Sequence, residues 1–343
     1  MAKLKVCVIG AGTMGKKHIN VFATTDDVVL AGICDLNLDV AKTVAAEYGT
    51  DISCYGSYQE MIETHKPDAV AIAVPDSEHK EPVMEALRSG AHVLVEKPLA
   101  TTLADSDEMI AFAKKCGKIL MVNYSHRWIP VYYTAHERLS CGDMGPVAMV
   151  YARKNDSIAI MTEWPWLQDS SPAAFLSSHD IDLVRWFIGC EAKSVYAVGY
   201  KGVLKRKLNM DTYDCIQATV KFENGAVAVF ESSFIYPKAY PTLTNSYIHI
   251  CCEDGLIELP RQIDSIATTT DTVHNYPQTS IAPMINGKVL GAFRWANEHF
   301  IECVKKGLEP LTSGYNARQI SEIVEAIHLS LENGKVMELP LSI

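Results

Sequence analysis

The chain has 343 residues, of which 48% are hydrophobic and 21% charged, a composition typical of a folded protein with more than one domain. Its formal net charge of -10 repels phosphate backbones and anionic lipid, which argues against nucleic acid or a membrane surface as a partner. No apolar run approaches the roughly 20 residues that cross a bilayer, and the first residues lack an export pattern, so a cytoplasmic protein is predicted.

In the first third of the chain, short β-branched runs alternate with segments of helical periodicity. We predict strands at residues 4–9, 28–34, 69–74, 92–95 and 119–122. The predicted helices between them include residues 38–48, 78–89 and 103–116. Alternation of this kind predicts right-handed crossovers and a doubly wound parallel sheet of the Rossmann type, which we assign to a domain of residues 1–122.

After residue 122 the pattern changes to one helical stretch followed by strands joined by tight turns. Asn224-Gly225 and Asp254-Gly255 each separate two apolar runs and predict β-hairpins. Helices are predicted at 292–306 and 317–332. Residues 123–343 are therefore predicted to form an α+β domain with a large, open, mainly antiparallel sheet and helices on one face.

An open sheet leaves one face without cover from its own chain. The run 226–230 is apolar on both alternations of a strand, which favours burial of both faces. We therefore predict a homo-oligomer, a dimer or tetramer, in which a second subunit covers that face.

A glycine-rich turn follows the first predicted strand, in the sequence Gly10-Ala11-Gly12-Thr13-Met14-Gly15. Gly10 permits a tight turn, Gly12 lets a pyrophosphate approach the backbone, and Gly15 lets a helix pack against the strand. The helix that starts near Thr13 supplies oriented N–H groups, so Thr13 and Met14 join the predicted cofactor-binding set. The turn alone also fits an ordinary strand-to-helix connection, but its place after the first strand favours a dinucleotide site.

Asp35 stands twenty residues after Gly15, at the end of the second predicted strand. A carboxylate there accepts hydrogen bonds from the adenosine ribose and repels the additional phosphate of NADP, so NAD is the predicted cofactor. The alternative is a solvated charge at a strand end.

The strand at 92–95 ends in Glu96-Lys97-Pro98, at the edge of a parallel sheet where ligands bind. The Lys97 amine can donate a hydrogen bond to a reacting oxygen, and the proline restricts the backbone of Lys97. Taken by itself, a lysine at this place is also compatible with a solvated charge.

With these features the chain resembles the Gfo/Idh/MocA oxidoreductases, a family that includes glucose-fructose oxidoreductase and inositol dehydrogenase. The resemblance covers nearly the whole chain. It rests on the glycine turn and on the following segments: 75–79, SGAHVLVEKPLA, VNYSHRWIP, SSHDIDLVRWFIG and GLEPLTSGYNARQISEI.

The resemblance implies a role for each matched position. Pro75, His79 and Glu96 belong to the implied cofactor site. Lys97 is implied to lie beside the nicotinamide and the substrate oxygen, and His179 to act as the acid/base. The resemblance also implies that Tyr124 and Arg127 lie at the substrate pocket.

His179 has the chemistry that this role needs. Ser177 and Ser178 are predicted to cap a helix whose first turn contains His179. An imidazole exchanges a proton near neutral pH. A capping or core histidine is the alternative interpretation.

The chain departs from the family pattern at Phe175, where many members have an aspartate one helical turn before the histidine. A phenyl ring cannot orient an imidazole or stabilise its protonated form. Asp156, Asp180 and Asp182 are the candidate replacements. Asp182 lies three residues from His179 on the same helical face and is included among the predicted substrate-site residues, although a charge that favours the helix start is equally compatible.

Two tryptophans, Trp164 and Trp166, flank a proline in a segment too aromatic for an ordinary loop. Aromatic faces stack on the apolar face of a sugar ring, so both are candidate pocket walls. Packing in the protein core is the alternative. Ten scattered cysteines show no spaced Cys/His pattern, so we predict buried thiols and no metal site.

The resulting prediction is an NAD-dependent oxidoreductase that moves a hydride between the nicotinamide and a secondary alcohol of a sugar, polyol or glycoside. A second possibility keeps this hydride step transient and uses it for glycoside cleavage or elimination. A third, of another class, is a cofactor-binding sensor without turnover. Phe175 is the residue that keeps the last two alternatives open.

Overall fold

Strands and helices alternate through the first third of the chain in the computed structural model, which describes residues 3–49, 52–261 and 266–342. The elements of this part are β1 (Leu4–Ile9), α1 (Thr13–Ala23), β2 (Val28–Cys34), α2 (Leu38–Ala45), β3 (Ser53–Tyr55), α3 (Tyr58–His65), β4 (Ala69–Ile72), α4 (Lys80–Arg88), β5 (His92–Val95), α5 (Leu103–Cys116) and β6 (Leu120–Val122).

These six strands form one sheet in the order β3-β2-β1-β4-β5-β6, and every pair is parallel. All four residues of β4 are buried, as expected of a strand with helices on both faces of its sheet. The predicted doubly wound sheet is confirmed. The sequence pattern did not indicate β3 and α3, because the three residues of β3 are all at least partly exposed and form no apolar run.

The remaining elements mix helices with longer strands. They are α6 (Pro130–Ser140), β7 (Val147–Ser157), α7 (Ala159–Glu163), α8 (Ser178–Ile188), β8 (Ala192–Tyr200), α9 (Val203–Leu208), β9 (Cys215–Phe222), β10 (Val227–Tyr236), β11 (Thr244–Cys252), β12 (Leu256–Pro260), β13 (Thr268–Thr269), β14 (His274–Asn275), β15 (Met284–Ile285), β16 (Lys288–Val289), α10 (Ala292–Lys306), α11 (Gly314–Asn333) and β17 (Met337–Glu338).

A second sheet of seven strands has the order β12-β11-β7-β10-β9-β8-β17. The pair β10–β7 is parallel and the other pairs are antiparallel. Both predicted hairpins are present, β9–β10 at Asn224-Gly225 and β11–β12 at Asp254-Gly255. Helix α8 packs on β7 and β10. The predicted α+β architecture with a mostly antiparallel sheet is confirmed.

The chain divides into two compact units: Met1–Trp128 with Ile281–Arg318, and Ile129–Ser280 with Gln319–Ile343. In the first unit, Phe300 and Ile301 of α10 join the core that includes Val6 and Val8 of β1. The predicted domain boundary at residue 122 did not indicate that Ile281–Arg318 would rejoin the first unit. The assignment of residues 1–122 and 123–343 to separate domains stays a prediction.

No described helix combines the length and the apolarity that crossing a bilayer requires. Among residues 3–49, 52–261 and 266–342, no three His, Cys, Asp or Glu side chains cluster as metal ligands do. All ten cysteines are free thiols. Only three are buried and Cys141 is exposed, so the prediction of buried thiols was wrong for most of them, because strand edges and helix ends leave these side chains partly in solvent.

Candidate active site

The glycine turn connects β1 to α1. Gly10 has φ +92°, and a Cβ there would collide with the Ala73 carbonyl. A Cβ on Gly15 would collide with the Gly10 carbonyl, so this glycine allows the helix to approach the turn. At Gly12, in contrast, a Cβ would meet no atom within 4 Å. The open side of the turn is therefore at Gly12, where Thr13 is exposed and the first amides of α1 begin.

Asp35 lies directly after β2 and is half-buried. Its Oδ2 accepts a hydrogen bond of 2.9 Å from the Ala11 amide inside the glycine turn. Its Oδ1 accepts one of 2.9 Å from the Asn37 amide. These two hydrogen bonds fix the direction of the side chain. Each carboxylate oxygen has a second lone pair, so both can still accept a hydrogen bond from a ribose.

His79 connects the ends of β4 and β5. Its buried ring places Nδ1 2.8 Å from the Pro98 carbonyl oxygen and Nε2 3.1 Å from the Val74 carbonyl oxygen. Pro75 is exposed at the start of the same segment. The ring of His79 thus braces the two loops, and Pro75 and the three residues that follow it are exposed to solvent.

The Glu96-Lys97-Pro98 loop follows β5. Glu96 is buried, Lys97 is half-exposed, and the peptide bond between Lys97 and Pro98 is cis. Two side chains donate to or share a proton with the Glu96 carboxylate, His18 of α1 and Asn123 just after β6. The loop therefore buries its acid in the protein, while its lysine is partly in solvent.

Two predicted substrate residues in the first unit, Tyr124 and Arg127, are buried. Arg127 donates a hydrogen bond of 2.8 Å from Nη1 to the Leu311 carbonyl. This contact ties the segment after β6 to the stretch that precedes α11.

His179 lies in the first turn of α8 and is half-buried. The predicted serine cap was wrong: Ser177 makes no capping hydrogen bond, and the Ser178 hydroxyl donates instead to the Ala174 carbonyl at 2.7 Å. The reason is a π-helical turn at Ala173–Ser177 that continues into α8, so that the first amides of the helix already have backbone acceptors.

Phe175 lies within that π-helical turn and belongs to an aromatic cluster. Its ring centroid is 6.1 Å from Trp164 and 5.8 Å from Trp166, edge-on to both, and 6.1 Å from Phe234. Trp164 and Trp166 are 38% and 53% exposed. The residue at the expected acid position thus contacts two partly exposed aromatic side chains and packs against the hydrophobic cluster that includes buried Phe234.

The three candidate replacement acids differ in their surroundings. Asp180 is buried and paired with buried Lys154, with Nζ 2.5 Å from Oδ1. Burial raises the pKa of Asp156 to about 6, against a smaller lowering by the Thr244 hydroxyl and the Lys154 charge. Asp182 is fully buried on α8. The carboxyl group of Asp156 therefore titrates closer to neutrality than an ordinary aspartate does.

The structure thus brings the glycine turn, Asp35, His79 and Glu96 to one edge of the parallel sheet, at the carboxyl ends of β1, β2, β4 and β5. This edge includes the point between β1 and β4 where the strand order reverses, the usual dinucleotide site of such sheets. In the second unit it brings together Trp164, Trp166 and Phe175.

Sequence reasoning missed one buried polar network at this edge, which includes His18, Asn123 and Asn297. His18 occupies the buried face of α1 three residues after Gly15, and that position was its one detectable signal. A histidine there is indistinguishable by pattern from a core residue.

The residues at this edge fit a dinucleotide. Gly12 leaves room for a pyrophosphate against the backbone, the start of α1 offers amides, and the Asp35 carboxylate keeps lone pairs to which ribose hydroxyls could donate. Fold and site together define a dinucleotide-binding protein of the Rossmann type.

Comparison with known proteins agrees with this class. The profile of the GFO_IDH_MocA oxidoreductases, described as an NAD-binding Rossmann fold, matches residues 4–124, and that of the family's C-terminal domain matches residues 132–258. The chain is 30% identical over 248 residues to D-glucoside 3-dehydrogenase of Escherichia coli K12, covering 67% of this chain and 70% of that protein. The chain belongs to the Gfo/Idh/MocA family, as the sequence motifs predicted.

Other relatives cover more of the chain at lower identity. The scyllo-inositol 2-dehydrogenase (NAD+) of Bacillus subtilis is 26% identical over 353 residues, covering 98% of this chain and 96% of that protein. The crystal structure of scyllo-inositol dehydrogenase from Lactobacillus casei, with bound NAD(H) and scyllo-inositol, is similar with a TM-score of 0.83. At 17% identity, over 98% of this chain and 99% of that one, the latter match concerns the fold.

Proposed function

We propose that this protein catalyses reversible hydride transfer between NAD and a secondary alcohol of a sugar, polyol or glycoside. The nicotinamide supplies the hydride acceptor, and the protein binds, orients and deprotonates the substrate. The observation that supports the proposal most strongly is the Glu96-Lys97-Pro98 loop, which places a partly exposed lysine at the carboxyl edge of a sheet whose glycine turn fits a pyrophosphate. The relatives named for glucosides and inositols support the substrate class.

We assign two residues to the reacting hydroxyl group of the substrate. In the oxidation direction, the Lys97 amine donates a hydrogen bond to the reacting oxygen and His179 takes the hydroxyl proton. Tyr124 and Arg127 are assigned to substrate binding through the family resemblance, and Trp164 and Trp166 as surfaces for the apolar face of a sugar ring.

The test is a screen of hexoses, inositols, simple glycosides and their keto forms with NAD, followed by Lys97→Met in the full chain. We expect reduction of NAD with at least one member of the panel. Lys97→Met should abolish turnover, while calorimetry shows NAD binding close to that of the native protein. Normal turnover of Lys97→Met would eliminate the assignment.

Phe175 supports a second candidate. Without an acid one turn before His179, the same hydride step serves transient oxidation that acidifies a neighbouring C–H and permits glycoside cleavage or elimination. The amount of NADH formed separates the two: accumulation of NADH in proportion to product supports simple oxidation, and product without NADH accumulation supports the transient pathway. NAD binding without hydride exchange on any panel member would indicate a sensor.

The position of Asp35 predicts the choice between coenzymes. Its carboxylate is held by the amides of Ala11 and Asn37, so a 2′-phosphate would meet a fixed negative charge. NAD should bind more tightly than NADP by calorimetry, and Asp35→Asn should narrow that difference. An Asp39→Asn variant on the exposed surface of α2 is the matched control.

We also propose that the protein is a homo-oligomer whose second copy covers the open face of the seven-stranded sheet. Tyr196, Val198 and Tyr200 alternate along β8 and are 43%, 50% and 52% exposed, an unusual set of large side chains for a free surface. Val227 of β10 is exposed on the adjoining part of the sheet. Sedimentation at micromolar concentration should give a dimer or tetramer, and Val198→Glu should give the monomer; a native monomer would contradict the proposal.

We also propose that the protein is cytoplasmic. The ten cysteines are all free, which agrees with a reducing compartment. Fractionation of cells that produce the full chain should recover it with cytoplasmic markers.

A further inference from the structure

A buried series of polar side chains connects three elements of the first unit behind the loop that contains Lys97. His18 of α1 is fully buried, and its Nε2 lies 2.9 Å from Oε1 of Glu96. On the other side of the ring, Nδ1 lies 2.7 Å from Oδ1 of Asn297 of α10. Asn123 donates from Nδ2 to the same Glu96 oxygen at 2.8 Å. His18 therefore links the helix that starts at the glycine turn to the acid next to Lys97.

The hydrogen-bond partners locate one proton on the ring. Asn297 donates from Nδ2 to the Phe293 carbonyl at 2.8 Å, which fixes its amide so that Oδ1 faces His18. An amide oxygen only accepts, so Nδ1 of His18 must hold a hydrogen.

The other ring nitrogen faces the acid. Burial raises the pKa of Glu96, but the hydrogen bond and charge of His18, the Asn123 amide and the Lys97 charge together lower it below its ordinary value. With Glu96 as a carboxylate, the hydrogen between the two groups must come from Nε2. His18 then holds a hydrogen on both nitrogens and is an imidazolium, and the His18–Glu96 pair has no net charge.

The charged groups around Glu96 come from two elements. His18 and Lys17 belong to α1, and Lys97 follows Glu96 in its own loop. Burial lowers the pKa of Lys17, and the Glu96 charge opposes that change. Asn123, after β6, and Asn297, on α10, contribute neutral amides. The imidazolium is thus the group that compensates Glu96 through a direct hydrogen bond in the protein interior.

We propose that His18 is a positioning residue that fixes Glu96 and cancels its charge, so that the neighbouring Lys97 side chain donates to the reacting oxygen and is not held by an uncompensated carboxylate. The inference rests on the proposed role of Lys97 in hydride transfer and adds a residue that touches neither substrate nor cofactor. It assigns the buried histidine a function distinct from packing.

The decisive experiment measures the ionisation of Lys97 directly, in the full chain and without any substrate. Competitive labelling with acetic anhydride across pH, read by mass spectrometry, gives the midpoint for each lysine, and Lys66 and Lys114 on the surface serve as internal standards. In His18→Gln the Glu96 carboxylate loses its compensating charge. Because the charges of Lys97 and Glu96 act on each other, the Lys97 midpoint should then rise by about 1 pH unit. The surface lysines should not change.

A second pair of variants tests charge separately from shape. In the double variant His18→Gln/Glu96→Gln the uncompensated carboxylate is gone, so the Lys97 midpoint should return toward the native value. Glu96→Gln alone should leave the midpoint nearly unchanged, because it replaces a neutral pair by two neutral groups. A purely structural histidine would instead let Glu96→Gln lower the midpoint, since a bare carboxylate beside Lys97 would have been removed.

Turnover provides the second measurement, with the most active substrate of the panel. His18→Gln should lower kcat by about 100-fold, the cost of a misplaced catalytic group, with KM for NAD little changed. His65→Gln is the matched control, because His65 is a half-buried histidine of the same unit that bonds Tyr55 at 2.9 Å. It should retain native kcat.

The outcomes distinguish the role of His18 from the proposed role of Lys97 in hydride transfer. An unchanged Lys97 midpoint in folded His18→Gln, or a lowered midpoint in Glu96→Gln, overturns the role of His18. If His18→Gln does not fold, the Glu96→Gln midpoint decides alone. Native turnover of Lys97→Met overturns the proposed function and leaves the labelling result standing as a statement about charge.

Discussion

The two units differ in where they bury charge. In the first, buried Glu96 lies at the carboxyl edge of a parallel sheet, where His18 and Asn123 supply its hydrogen bonds. In the second, Lys154 lies within β7, on the helix-covered face of the sheet, and its partner Asp180 comes from α8. Glu96 belongs to a sequence motif at a ligand edge, whereas Lys154 lies in a strand that no such motif covers, and only its partner Asp180 belongs to one.

This difference shows which residues each unit depends on. The first unit depends on backbone geometry at a few glycines, because its ligand edge is formed by turns. The second depends on side-chain pairing. Lys154 has Ser232 of β10 and Ser246 of β11 as its neighbours in the sheet register, and its charge is compensated by Asp180. Substitutions should therefore have their largest effects at different kinds of position in the two units.

The largest effect is expected at Gly10. Gly10→Ala places a side chain on a residue with φ +92° and against the Ala73 carbonyl. The conformational and steric costs together should lower the free energy of unfolding by about 5 kcal/mol in urea titrations. Gly12→Ala is the matched control: nothing lies within 4 Å of its Cβ, so it should unfold like the native protein and show weaker NAD binding. Equal stability of the two variants would contradict the geometric difference between these glycines.

A smaller loss is expected in the second unit. Lys154→Ala leaves Asp180 charged and buried, which should lower the free energy of unfolding by about 4 kcal/mol. Lys306→Ala removes an exposed lysine from its pair with Glu302 on α10 and should cost less than about 1 kcal/mol. If the double variant Lys154→Met/Asp180→Leu were as unstable as Lys154→Ala, the unpaired acid would not be the cause.

The third effect depends on pH. Burial holds the pKa of Asp156 at about 6, above the ordinary value of 3.8, so the folded protein binds this proton more tightly than the unfolded chain. The resulting stabilisation is complete below pH 3.8 and is lost as pH rises through 6; it amounts to about 3 kcal/mol.

Asp156→Asn cannot titrate, so its stability relative to the native protein should rise between pH 4 and pH 7. Denaturant titrations at several pH values measure the difference. The exposed Asp169→Asn variant should follow the native curve, and a constant difference between Asp156→Asn and the native protein would show that this carboxyl group does not titrate in that window.

The sequence was sufficient where a local pattern determines the structure. The predicted bounds of α5 and α10 agree with the structure, because their periodicity and flanking residues are local. The glycine turn and Asp35 were found by spacing, since that spacing follows from one βαβ unit. Three features could not be predicted from such patterns. Strand β3 is too short to form an apolar run, and a π-helical turn takes the place of the predicted serine cap. The packing of α10 in the first unit depends on which sheet covers the apolar face of that helix.

The candidate site also contains residues that a local motif identifies and residues that only long-range contacts identify. Glu96 and Lys97 were recognisable because they share a motif, whereas His18 meets Glu96 across 78 positions and Asn297 across 279. Nothing in a helical pattern distinguishes a histidine that packs from one that pairs with a distant acid. The network became visible only when the partners of each ring nitrogen were known.

The return of residues 281–318 to the first unit also bears on how the protein is made. Synthesis proceeds from the N-terminus at a limited rate, and early segments can fold while later ones are still being added. Phe300 and Ile301 complete a core that begins with β1, so the first unit lacks part of its interior until nearly the whole chain has left the ribosome. A stalled or truncated product that ends after the first sheet should therefore expose apolar surface and be a substrate for chaperones and proteases.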